Sequence, residues 1–259
     1  MPFTLSHPAA ALPLRKHLLL SAMVVGSMSP DFEYFWRLAG VSRFSHTLPA
    51  VFYFCLPVSL LALWLFHSLI KRPGLELLPY FRKRIETQSL EFPFWPASRF
   101  FLIIISIVVG ALTHVWWDSL THEHGYMVER WPFLQRDLVL YARHELKVFK
   151  LLQYGSSVMG LLLLSASLLN WLRHAPVVKA QRGGALPKSV ASVIAGCIIV
   201  FTIMSGVGLG LWSAVEKSGS FSIQVFVVQT AIGGMLGLAM SMLIYSVIMH
   251  AALPRITTH

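Results

Sequence analysis

Phe100-Phe-Leu-Ile-Ile-Ile-Ser-Ile-Val-Val-Gly110-Ala-Leu-Thr-His114-Val-Trp-Trp-Asp118-Ser-Leu-Thr-His122-Glu-His124-Gly125 decides the reading of this chain. Its first part, Phe100 to Trp117, is a strongly apolar run of the length that crosses a bilayer as a helix. Its second part places His114, Asp118 and His122 four residues apart. On a helix that spacing puts all three on one face, about a turn apart. Ionisable side chains at the end of a membrane helix are expensive to place, and by default they mark a functional site. Imidazole with carboxylate suits zinc or a similar divalent ion.

The rest of the chain agrees with a membrane setting. Of 259 residues, 56% are hydrophobic and 12% charged, where a soluble domain carries roughly 25% charged residues. The net charge of +10 does not imply nucleic acid, because the basic residues lie mostly in short loops, as orientation signals do. Cys55 and Cys197 both lie inside apolar segments and read as small core residues rather than as a disulfide.

The expected fold is all-α, a polytopic membrane bundle of about five transmembrane helices. These are residues 50–70, 100–117, 155–172, 190–215 and 225–249, the third only just long enough to cross. An earlier run, residues 18–28, is too short to span and is expected to be re-entrant or interfacial. A competing reading makes it a signal peptide behind Arg15-Lys16, whose cleavage would remove His7. The domain expectation is a metal-site helical domain over residues 1–172, a cytoplasmic loop over 173–189 and a transmembrane hairpin over 190–259.

Loop charge sets the expected orientation. Lys71, Arg72, Arg82, Lys83, Arg84 and Arg99 fill one loop; Arg173, Lys179, Arg182 and Lys188 fill another. Both read as cytoplasmic. The Glu216-Lys217 loop and residues 119–154 then fall outside, which predicts an inner-membrane protein with its site on the periplasmic face. His46 and His114 come out on the same side.

Asp31, in Ser29-Pro30-Asp31-Phe32, is held just past a stiffened turn; alone it could equally cap the helix that follows. His46 precedes the first long helix, and His7 lies in Ser6-His7-Pro8. The strength lies in the combination, because the chain holds only three aspartates, Asp31, Asp118 and Asp137. The competing reading of His114 and Asp118 is a buried polar pair without metal. Arg130, Arg136 and Arg143 are candidates to hold a phosphate, against ordinary solvated positions. Trp116, Trp117 and Trp131 fit the membrane interface.

The motifs Pro2-Phe-Thr-Leu-Ser-His7-Pro-Ala, Gly26-Ser-Met-Ser-Pro-Asp31-Phe, Ser45-His46-Thr47 and Gly110-Ala-Leu-Thr-His114-x3-Asp118-x2-Thr121-His122 resemble domain-of-unknown-function family 4184. This bacterial membrane family is similar to the group described as membrane-bound metal-dependent hydrolases. The order of ligands is also distantly similar to zinc-dependent phospholipase C and P1-type nuclease. That resemblance implies one to three divalent ions, zinc first. Asp31, His46 and His114 would hold one, Asp118 would bridge, and His7 would hold the next. His122 or His124, with His144 or Glu145, are candidates for a further ion. The soluble enzymes end their third site in His-x3-Glu, which this chain lacks, so two ions are expected rather than three.

The resemblance implies a phosphoesterase acting on a lipid-like phosphate ester, with Asp118 and His114 as the catalytic pair. Membrane lipid would be both environment and substrate. Two alternatives stand beside it. A non-catalytic protein would keep a closed structural metal site. A transporter would need polar residues along its path, and residues 190–215 and 225–249 carry no charged ones.

Overall fold

A computed structural model describes residues 3–82, 84–85, 91–141, 144–176, 186–216 and 222–256. Lys83, Arg143, Lys179, Arg182 and Lys217, named above, lie outside the described residues.

Five helices are long and apolar enough to cross a membrane: Leu48–Glu76, Ala97–Thr121, Val148–His174, Lys188–Val215 and Ile223–Ala252, the first to fifth spans below. The architecture is a polytopic helical bundle, as expected. Each span is longer than its purely apolar run. The third gains most, because Val148–Tyr154 continues the helix through Lys150 and Gln153. The early apolar run forms a helix of nine residues, Leu20–Met28, too short to cross. A 3-10 segment, Thr4–Ala11, precedes it.

The chain divides into two compact units. The first comprises Met1–Phe32, Arg43–Leu63 and Pro93–His174. Its centre is the crossing of the Leu20–Met28 helix with the second span. Two glycines set that crossing. A Cβ added at Gly26 would stand 2.3 Å from the Ile107 carbonyl oxygen, and one at Gly110 would stand 2.4 Å from that of Met23. Backbone meets backbone there, the small-residue packing that membrane helices use. Ser106 Oγ ties the helix start by accepting the Leu19 amide at 3.0 Å. The crossing brings Ser27 and Asp31 beside His114.

Between the second and third spans the chain folds into a cap. A tight turn at Gly125 leads into the short helix Tyr126–Arg130 and the 3-10 turn Pro132–Gln135. Leu120, Val128, Leu134, Val148 and Phe149 form the core beneath them. Two short antiparallel strands follow, β1 (Asp137–Tyr141) and β2 (His144–Lys147).

The second unit comprises Glu33–Ser42, Trp64–Phe92 and Ala175–His259. In it the fourth and fifth spans pack tightly. A Cβ at Gly206 would meet the Thr230 carbonyl oxygen at 2.8 Å, and one at Gly233 would meet that of Ser205 at 2.6 Å. Gly210 and Gly237 lie at equally close contacts, but Gly208 faces open space. Tyr245 donates its hydroxyl to the Pro73 carbonyl at 3.1 Å. Both cysteines are free. Cys55 is buried as expected; Cys197 is exposed on the fourth span, which corrects its reading as a core residue.

Candidate metal centre

Four donor atoms face one another inside the first unit. His46 Nε2 lies 3.3 Å from Asp31 Oδ1 and 3.3 Å from Asp118 Oδ2. His114 Nε2 lies 3.6 Å from Asp31 Oδ1 and 3.3 Å from Asp118 Oδ2. The two imidazole nitrogens are 3.2 Å apart. A tetrahedral ion with bonds of about 2.0–2.2 Å holds its ligands about 3.3–3.6 Å apart. Well-formed N–H···O bonds cluster instead near 2.9–3.0 Å. A metal ion could occupy the space these donors enclose.

A second set shares Asp118. His7 Nε2 lies 3.5 Å from Asp118 Oδ1, and the His7 ring stacks on that of His114 with centroids 3.7 Å apart. His7 Nε2, Asp31 Oδ1 and Asp118 Oδ1 are all buried without a hydrogen-bond partner. Orphaned buried polar atoms are costly to keep in a folded protein. Here three of them sit in two donor groups that could each hold a metal ion, His7–His114–Asp118 and Asp31–His46–His114.

Neighbouring groups orient these ligands. His114 Nδ1 donates to the Ser27 carbonyl at 2.7 Å, so its Nε2 turns inward. His46 Nδ1 pairs with the Ser45 hydroxyl at 3.1 Å. The Thr4 hydroxyl donates to Asp31 Oδ2, leaving Oδ1 to the cluster. Asp31 therefore does not act as a helix cap; its carboxylate is buried at 1% exposure.

The charge state follows from this packing. Burial, then the adjacent His114 imidazole, pushes His7 down to about 3, so it is neutral. Burial opposes charge on His46 as well, but the Asp118 and Asp31 carboxylates outweigh it and hold His46 up at about 9. Burial also opposes ionisation of Asp31, yet His114 and His46 keep it below the usual carboxylate range. Burial lowers His122.

The remaining expected residues lie apart. His122 sits at the rim, with Nδ1 donating to the Asp118 carbonyl at 3.0 Å and 3.7 Å from Asp118 Oδ2. His124 is exposed. Neither joins a three-donor group among the described residues. His144 and Glu145 lie in β2. Arg130 covers the Tyr126 ring at 3.7 Å, and Arg136 lies 6.0 Å from that of Phe133; both are exposed. Sequence reasoning missed Thr4, Ser27 and Ser45 as supports. All three stand inside the quoted motifs, but Ser27 acts through its backbone carbonyl, so only Thr4 and Ser45 offered a side-chain signal.

Fold and cluster together define a multi-pass helical membrane protein with a buried histidine–aspartate centre able to hold a metal ion. The chain belongs to the family described as Domain of unknown function (DUF4184), which it matches over residues 1–247. No curated protein and no solved structure matches it.

Proposed function

We propose that this protein is a membrane-bound metal-dependent hydrolase, a phosphoesterase acting on a lipid-like phosphate ester. The observation that carries the reading is the sharing of one carboxylate. Asp118 Oδ2 faces His46 and His114 while its Oδ1 faces His7. In this reading Asp31, His46, His114 and Asp118 hold one divalent ion, zinc first. His7 and Asp118 hold a second. A pair of such ions supplies Lewis acidity, clamps a phosphoryl group and makes a water acidic enough to attack near neutral pH.

The two positions differ in what the chain offers. His114 stands in both donor groups, but its one inward nitrogen can serve a single ion; assigned to the first, with Asp31, His46 and Asp118, it would complete a tetrahedral set. The second would then keep His7 and Asp118, with room for a solvent molecule and a substrate oxygen. That asymmetry favours hydrolysis over a purely structural role, in which both positions would be closed. The transporter reading has less support, because the donors gather near one end of the second span, at His114 and Asp118.

His46 and His122 form the more open side of the centre, with side chains 19% and 31% exposed. A phosphate head group reaching the ions from that side would keep its acyl chains in the bilayer. Arg130 and Arg136 are exposed cations in the cap. In this reading the face lies on the periplasmic side of a bacterial inner membrane, an orientation that the loop charges support.

The test is metal content per chain in detergent-purified protein beside His114→Ala, followed by phosphate or head-group release from phospholipid and lipid-phosphate substrates. Stoichiometric metal, lost in the variant, with metal-dependent release supports the reading. A well-folded wild type that takes up no zinc or manganese when the ions are added back would overturn it.

A further inference from the structure

The third span, Val148–His174, contributes no candidate ligand, yet it carries the seat of one. Gly160 lies at its middle, where glycine is a weak helix former. A Cβ added there would stand 2.8 Å from the Ser6 carbonyl oxygen, 2.9 Å from Ser6 Cβ and 3.3 Å from Ser6 Cα. The chain leading to His7 is laid directly on the helix backbone at this point. Gly155, in the same helix, meets nothing within 4 Å. The two glycines are therefore not equivalent.

Two more groups fasten the same stretch. The Phe3 amide donates to Ser157 Oγ at 3.0 Å, and Ser157 Oγ donates on to the Gln153 carbonyl at 2.7 Å. Ser157 and Gly160 are three residues apart and share a helix face. Residues 3–6 dock on that face, which holds His7 against the His114 ring and within 3.5 Å of Asp118 Oδ1. The neighbouring Ser156 is anchored to the second span, since Trp117 Nε1 donates to its Oγ at 3.0 Å.

We infer that Gly160 is a positioning residue for the His7 side of the centre: it lets the N-terminal segment approach the third span closely enough for His7 to reach Asp118. The inference rests on the two-ion reading above. Its physical content is selective. Asp31, His46, His114 and Asp118 are carried by other elements, so displacing the segment should cost the second ion and retain the first, weakened only through the Thr4 hydroxyl on Asp31 Oδ2.

The experiment loads four proteins with manganese(II): wild type, Gly160→Ala, Gly155→Ala and His7→Ala. Ions per chain are counted, and electron paramagnetic resonance separates a coupled pair from an isolated ion. Hydrogen exchange of residues 3–11 is followed in parallel. Wild type and Gly155→Ala should hold a coupled pair. Gly160→Ala and His7→Ala should hold a single uncoupled ion, with faster exchange of the segment in Gly160→Ala. Alanine favours the helix more than glycine does, so the third span itself should not weaken, and retention of the first ion reports an intact fold. Ser157→Ala supplies a milder variant, expected to loosen the segment and weaken the second ion.

A coupled pair retained in Gly160→Ala while His7→Ala loses one ion overturns the inference and leaves the two-ion reading standing. Loss of both ions in Gly160→Ala also overturns it, because the glycine would then serve the whole unit. A wild type without a coupled pair, or His7→Ala with one, overturns the two-ion reading and the inference with it.

Discussion

His114 Nδ1 donates to the carbonyl of Ser27 across a crossing of two helices, at 2.7 Å. The carbonyl can only accept, so Nδ1 carries a proton and Nε2 faces Asp31, His46 and Asp118. Close packing at Gly26 and Gly110 sets the distance between the two elements, so packing determines ligand orientation. His114→Ala should remove bound metal without preventing membrane insertion. Elemental analysis of the purified variant, with its recovery from the membrane fraction, checks this. Stoichiometric metal surviving in the variant would remove His114 from the ligand set.

Asp118 lies within 3.5 Å of His7, His46 and His114, whereas Asp31 faces only His46 and His114 among these histidines. Asp118→Asn should therefore lose both ions, and Asp31→Asn should keep more of the His7 side. The amide of Asn keeps the shape and removes the charge, so the comparison isolates ligation from packing. Equal metal loss in the two variants, measured by titration, would contradict a bridging role for Asp118.

The spans were legible because a run of 18 or more apolar residues fits a bilayer and little else, and the ligands were legible because carboxylates are so scarce here. His114 and Asp118 could be paired by helical spacing alone. Asp31 and His46 could not be joined to them by any local rule; only the resemblance suggested it, and the fold brings them within 3.6 Å of the pair. What stayed hidden depends on contacts distant in sequence or made by backbone. The Ser27 carbonyl has no side-chain signature. Gly160 is indistinguishable from Gly155 until the segment that lies on it is seen. The cap between the second and third spans was also unreadable, because its core of Leu120, Val128, Leu134, Val148 and Phe149 is scattered over two helix ends and a loop.

Thr4 supports Asp31 from the same segment that carries His7. Its hydroxyl donates to Asp31 Oδ2, and both residues are buried. Groups that orient metal ligands typically change affinity about 10–100-fold when removed. Thr4→Val keeps the shape and removes the donor, so metal affinity should fall by about that factor. Competition against a chelator of known affinity measures it. An unchanged affinity would mean that Asp31 is oriented by its other neighbours.

Orientation follows from loop charge and is open to direct test. Reporter fusions at Glu216 and near His124 should read as external, and fusions at Lys83 and Arg182 as cytoplasmic. The opposite pattern would put the centre on the cytoplasmic face and restrict its lipid substrates to the inner leaflet.

Metal binding should release a proton, and His46 is its source. Without an ion, His46 stands between two carboxylates and is held up at about 9, so it carries a proton at about pH 7. A metal-ligating imidazole must be neutral. His7, held down at about 3, and Asp31, held below its usual range, have no proton to give at that pH. Binding near neutral pH should thus expel at least the proton of His46. The sign is fixed: below about 9, protons compete with the ion, and apparent affinity should fall by about tenfold per pH unit as the medium becomes more acidic. Titration calorimetry in buffers of different ionisation enthalpy counts the proton, and affinity measured at several pH values gives the slope. A binding enthalpy independent of the buffer, with a flat pH profile, would show that His46 is already neutral and that its charge does not hold the two aspartates together.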